Sequence, residues 1–268
     1  MSDRRQFLYD SARLSAFALA GSVLWRISPA LAQMGSEGKL ATMTLSELAH
    51  RLSTGEVTSR QLVEEALAAI KDPRGEGSRV FLAVHESEAL AAADRADAQQ
   101  RNGMRGGLLS GIPISIKDLF DEAGVVTLGA SKVLVGAAPA QRDSTVVQRL
   151  KKAGAIIIGR TNLTEFAYSG LGINPHYGTP KNTFDRPAGR IPGGSTSGGA
   201  ISVTDGMAAA AIGTDTGGSV RIPAALNGLV GFKPTARRIP RDGVFPLSPS
   251  LDSVGPIAKS VDDCLLLD

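Results

Sequence analysis

The chain has 268 residues, 43% of them hydrophobic and 21% charged, enough to bury a sizeable core as one large domain or two small ones. Its formal charge is +3, and four arginines against two aspartates in residues 1–32 supply two of those charges; no basic stripe interleaved with aromatics is left, so nucleic-acid binding has no compositional support. The single cysteine, Cys264, excludes an internal disulfide and any multi-cysteine metal site. Aromatics make up only 4% while glycine reaches 31 residues, so the core must be built from Ala, Val, Ile and Leu on closely approaching backbones, which suits a mixed α/β protein.

Residues 1–32 read as an export signal. Arg4-Arg5-Gln6-Phe7-Leu8 has the core of a twin-arginine signal, the apolar run from Leu14 to Trp25 is too short to span a bilayer comfortably, and Ala30-Leu31-Ala32 gives a small-x-small cleavage site. The expectation is a chain exported to the bacterial periplasm, cleaved after Ala32 and left without a stable membrane span. A cytosolic amphipathic helix is the plainer alternative, but the apolar residues are contiguous rather than periodic.

Thr44-Leu45-Ser46-Glu47 and Thr58-Ser59-Arg60-Gln61 have the capping-box form and predict two helices, the second continuing through Leu62, Ala66, Leu67 and Ile70. A long Ala-rich helix follows from about Glu86 to Gln100, closed by Asn102-Gly103. Gly111 to Lys117 reads as a short buried strand with its lysine at the end. Asp143 or Ser144 caps a helix to Lys152, and Ala155 to Ile158 form the next strand. This alternation predicts an α/β layer with crossover connections in one domain, residues 33–268. Ser260-Val261-Asp262-Asp263 starts a last helix that meets no stop signal before Asp268, which reads as a domain truncated at its C-terminus; a short terminal helix is the alternative.

Two glycine-rich serine loops lie close together: Pro192-Gly-Gly-Ser195-Thr196-Ser197-Gly-Gly-Ala200, and Gly213-Thr-Asp215-Thr216-Gly217-Gly218-Ser219-Val-Arg221-Ile-Pro223. Loops without side-chain bulk can aim several backbone N–H groups at one developing oxyanion while a serine attacks a carbonyl. Neither loop has the form of a phosphate-binding motif, and each taken alone is better explained as a structural turn; it is the pair that shifts the balance toward chemistry. A serine nucleophile needs a base. His50, His85 and His176 have no matching acid motif, whereas Lys117, after Ile112, Ile114 and Ile116, stands where desolvation would lower its pKa.

Gly111 to Asp118, Gly159-Arg-Thr-Asn162-Leu-Thr-Glu165-Phe-Ala, the Pro192 to Pro223 stretch and Gly231-Phe-Lys233-Pro-Thr together resemble the amidase signature family, over almost everything from Thr42 onward. The resemblance implies an amidase-signature mixed sheet covered by helices and a triad of lysine, a serine with an unusual cis peptide, and a nucleophilic serine. By motif position these are Lys117, Ser195 and Ser219, and the 24-residue interval between the serines matches the family's, which prefers Ser195 to Ser197. Thr196 and Ala200 depart from the common pattern.

That resemblance implies hydrolysis of the C–N bond of a small-molecule amide through an acyl-enzyme, with neither metal nor cofactor. The backbone N–H groups of Thr216, Gly217, Gly218 and Ser219 are the expected oxyanion donors. Asp215 and Arg221 are expected to support the loop, and Asn162 and Glu165 to brace the strand end unless they mark a plain helix start. Two other readings stand beside it: the family's amidotransferase subunit that serves misacylated tRNA, which is cytosolic and works with partner subunits, and a non-catalytic scaffold or fragment.

Overall fold

The computed structural model describes residues 38–268 except Arg105, so the expected export signal lies outside the described residues. Both capping boxes form. Thr44 and Glu47 close the start of α2 (Leu45–Thr54), after a single turn α1 (Lys39–Thr42), and Thr58 and Gln61 close the start of α3 (Ser59–Lys71). Each box satisfies two N–H groups that a helix start would otherwise leave orphaned. Their apolar faces, Leu45, Leu48 and Leu52 on one and Leu62, Val63, Ala66 and Leu67 on the other, enter one core. A turn α4 (Gly77–Val80) leads into β1 (Phe81–Val84), and the Ala-rich α5 spans Glu86–Arg101, ending as expected at Asn102 with Gly103 left-handed at φ +73°.

The strands form one sheet. In chain order they are β1, β2 (Pro113–Lys117), β3 (Ile156–Thr161), β4 (Ala210–Asp215), β5 (Val230–Gly231) and β6 (Ser253–Ala258), and in space they run β1-β3-β2-β4-β6-β5. β3, β2 and β4 are parallel, with antiparallel neighbours on either side. Every residue of β2, β3, β4 and β6 is buried, the polar Ser115, Lys117, Arg160, Thr161, Thr214, Asp215 and Ser253 included. Between β2 and β3, α6 (Thr145–Lys152) starts at Ser144, whose hydroxyl accepts from the Val147 N–H.

Helix α7 (Ser197–Thr204) explains the small-residue composition. It lies so close to the sheet that a Cβ at Gly198 would stand 2.6 Å from the Val80 carbonyl oxygen and 2.8 Å from that of Asn162. Ser115 on β2 and Ser202 on α7 hydrogen-bond at 2.8 Å inside this contact. After β4 comes α8 (Arg221–Leu226), and after β6 comes α9 (Val261–Leu267), capped by the Ser260 hydroxyl. The buried Asp263 of α9 accepts the Leu45 N–H at 2.8 Å, joining segments 218 residues apart.

One charge cluster is buried beneath the sheet's carboxyl end. Arg160, 1% exposed, donates to Asp118 at 2.7 Å, to the Phe120 carbonyl at 2.7 Å and to Glu122 at 3.2 Å. Glu122 also meets His85 at 2.9 Å and Lys151 at 3.8 Å, so removing the guanidinium strips Asp118 above all of its counter-charge. Arg160→Met should therefore cost about 3–5 kcal/mol of stability in urea unfolding, and Asp118→Leu added to it should restore part of the loss.

Candidate functional site

The parallel strands β2 and β4 deliver Lys117 and Asp215 to the same end of the sheet, the position where open α/β sheets commonly carry ligand sites. Lys117 is fully buried. Its Nζ donates to Ser195 Oγ at 2.7 Å and to Thr214 Oγ1 at 2.8 Å, two neutral acceptors. Burial pushes the ammonium down to about 7 despite the opposing pull of the Asp215 and Asp252 carboxylates. A lysine so placed sheds its proton near neutral pH and can act as a base.

Ser195 sits in the loop that enters α7, its peptide bond to Gly194 cis. Its carbonyl accepts from Thr164 N at 3.1 Å and from Ser197 N at 2.9 Å, which ties the loop to the chain following β3. Ser197 Oγ, also buried, has no hydrogen-bond partner and does not meet Lys117. Ser219 follows β4, and its carbonyl accepts the Thr196 N–H at 3.2 Å; that bond, rather than one between the Ser195 and Ser219 hydroxyls, joins the two loops here.

Asp215 grips the loop that carries Ser219. Its carboxylate accepts N–H bonds from Gly218 at 2.9 Å, Val220 at 3.2 Å and Arg221 at 3.4 Å, and two more from the Arg221 guanidinium at 2.9 Å each. Burial pushes this carboxyl up, but the Arg221 guanidinium and the backbone donors outweigh it and hold the pKa below the usual carboxylate range. Of the four expected oxyanion donors, Gly218 departs from the expectation, since its N–H already belongs to Asp215. Among the described residues, Thr216, Gly217 and Ser219 N–H make no loop or turn hydrogen bond.

Asn162 makes no side-chain bond to Lys117, Ser195 or Ser219 and instead ties the start of α7 to neighbouring segments. Its amide donates to the Arg79 and Gly178 carbonyls at 2.9 and 2.8 Å, and its own carbonyl accepts from Gly198 at the start of α7. Glu165 accepts from Ser131 at 2.7 Å and lies 3.1 Å from His176; His85 lies 2.9 Å from Glu122, and no histidine side chain among the described residues bonds to Lys117, Ser195 or Ser219. Sequence reasoning missed Thr214, Asp118, Arg160 and Asp252. Thr214 was within reach, one residue before Asp215 on an inward-facing strand. Asp252 lies 36 residues beyond Thr216 and gave no local signal. Among the described residues no cluster of His, Cys, Asp and Glu is suited to a metal, and no helix is long and apolar enough to cross a membrane.

Comparison with known proteins places this geometry among relatives. The family model named Amidase matches residues 61–268. A glutamyl-tRNA(Gln) amidotransferase subunit from Alcanivorax borkumensis is 44% identical over 230 residues, which is 84% of this chain and 46% of that protein. The peptide amidase of Stenotrophomonas maltophilia, solved in its native form, superposes with a TM-score of 0.76 at 36% identity over 85% of this chain and 47% of its own. A chain from a vestigial complex connected with the origins of an s-triazine catabolic enzyme gives 0.80 at 39% identity over 84% and 49%. The chain thus spans about half the length of the relatives it matches.

The buried lysine has a measurable consequence for folding. Between pH 7 and its ordinary value of 10.5 the unfolded Lys117 holds a proton that the folded one has shed, so stability rises with pH in that window. Relative to Lys117→Met, the wild-type chain should gain up to about 1.4 kcal/mol per pH unit there, read as the difference between urea unfolding curves near neutral and at alkaline pH.

Proposed function

This chain belongs to the amidase family, and we propose that it carries the catalytic serine machinery of an enzyme that hydrolyses a small-molecule carboxylic amide. The observation that carries the reading is the fully buried Lys117 with its Nζ 2.7 Å from Ser195 Oγ, one loop away from Ser219. Neutral Lys117 takes the Ser195 proton as Ser195 takes that of Ser219, whose oxygen forms a bond to the amide carbonyl carbon. This transfer requires the two serine hydroxyls to meet as substrate enters, a tightening common when catalytic sites fill. The N–H groups of Thr216, Gly217 and Ser219 receive the oxyanion, each worth about 3 kcal/mol of barrier. As the C–N bond breaks, the proton returns through Ser195 to the leaving amine. Water then attacks the Ser219 ester, releasing the acid and regenerating the hydroxyl.

A second reading is favoured by the 44% identity to a tRNA amidotransferase component, in which the same serine machinery would serve an enzyme of several subunits. Location separates the two. Arg4-Arg5, the Leu14 to Trp25 run and Ala30-Leu31-Ala32 support export to the periplasm, where aminoacyl-tRNA is absent. Mass spectrometry of the N-terminus of the expressed protein should find Gln33 first; an uncleaved cytosolic chain would favour the amidotransferase.

The chemistry itself is tested by substitution. Ser219→Ala should abolish both amide turnover and labelling by an active-serine phosphonate, because no other group carries the acyl intermediate. Lys117→Ala should lower the rate by several orders of magnitude and remove the acid limb near pH 7. Ser195→Ala should damage turnover badly yet leave some labelling, with Ser197→Ala much milder. Labelling that survives in Ser219→Ala overturns the mechanism, and a Ser197→Ala defect larger than that of Ser195→Ala overturns the bridge.

A further inference from the structure

We infer that Asp252 is a positioning residue of this reaction, fastening the start of the Ser219 loop through Thr216. The inference rests on the amidase reading above. Asp252 Oδ1 accepts from Thr216 Oγ1 at 2.5 Å, and Oδ2 accepts from the Leu247 and Ser248 N–H groups, both at 2.9 Å. The Arg241 guanidinium donates to its carbonyl at 3.3 Å. One oxygen thus holds the active-site loop and the other holds the segment leading into β6. The next residue, Ser253, is paired with Asp215 in the β4–β6 ladder, which fixes the carboxylate to the strand pair that carries the site. Asp252 and Thr214 line one cleft of about 350 Å³, so the side chains gripping Thr216 and Lys117 belong to one wall.

The loop needs both grips. Gly217 has open space around it and Gly218 sits at φ +132°, so neither residue holds its own conformation through side-chain packing. Asp215 fixes the far end through Gly218, Val220 and Arg221, and Asp252 fixes the near end through Thr216. The donors proposed for the oxyanion lie between these two carboxylates, and donors already in place need no ordering when the charge develops.

The second effect is electrostatic. The charges acting on Lys117 are Asp215 from β4, whose carboxylate is engaged by Arg221, and Asp252 from the segment before β6; Asp118, next to Lys117 in sequence, is paired with Arg160 from β3, while the direct partners Ser195 and Thr214 are neutral. Asp252 favours the charged lysine, after Asp215 and against the larger effect of burial, so neutralising it is expected to move the acid limb to lower pH.

The test measures the rate of phosphonate labelling against pH for the whole chain and for Asp252→Asn, Asp252→Ala, Thr216→Val and Ser219→Ala. Asp252→Asn, which keeps the shape and one acceptor oxygen, should shift the midpoint to lower pH. Asp252→Ala should lower the plateau rate roughly tenfold or more. Thr216→Val should lower the plateau with the midpoint unmoved. An unchanged plateau in Asp252→Ala, or a plateau loss there that Thr216→Val does not share, overturns the inference, and a shifted midpoint in Asp252→Asn separates positioning at the site from a loss of fold. Absence of labelling in the wild-type chain, or its persistence in Ser219→Ala, brings down the functional reading itself and is distinguishable from the first failure.

Discussion

Lys117 is a long basic side chain with no exposed surface, and among the described residues its Nζ bonds only to the hydroxyls of Ser195 and Thr214. Burying a charge without a paired counter-charge is expensive, and the less costly state is the neutral amine. The site follows from this. The lysine must end a strand that is itself fully buried, and hydroxyls must reach it from two other segments. The carboxylates acting on it must also be near enough to temper its pKa and engaged enough not to recharge it. Asp215 meets the last condition because Arg221 and three backbone N–H groups already hold it.

Those hydroxyls arrive by close packing. Thr214 comes from β4, a direct neighbour of β2 in the sheet. Ser195 comes from the loop into α7, a helix that approaches only because Gly198 has no side chain to collide with the Val80 and Asn162 carbonyls. Asn162 accepts the Gly198 N–H while its amide reaches across to Arg79 and Gly178, so the same residue that permits little room also sets the approach. Gly198 is therefore a packing requirement of the site as much as of the fold.

A second buried charge, Arg160, has a structural role next to the first. It compensates Asp118, the residue after Lys117, together with Glu122. Desolvation pushes the Asp118 carboxyl up against the opposing pull of Arg160, whereas Glu122, burial notwithstanding, is held below the usual carboxylate range by His85, Arg160 and Lys151. Two basic side chains on neighbouring strands thus meet opposite fates: Arg160 is paired with carboxylates, and Lys117, among hydroxyls, is driven toward its neutral form.

The local signals were legible in the sequence because they are short-range. The Thr44 and Thr58 capping boxes, the apolar runs of β2 and β3 and the Asn102-Gly103 stop depend on residues within a turn of one another. The glycine-rich serine loops and the strand-end lysine pointed to serine–lysine chemistry, and choosing Ser195 over Ser197 needed the family interval. The tertiary structure decided what depends on distant segments. It brought Lys117 to Ser195, 78 residues on, added Thr214 as its second acceptor, assigned the Gly218 N–H to Asp215, and carried Asp252 to Thr216. A hydrogen bond acts over about 3 Å in space whatever the separation along the chain. Only the packed sheet determines which remote groups come within that reach.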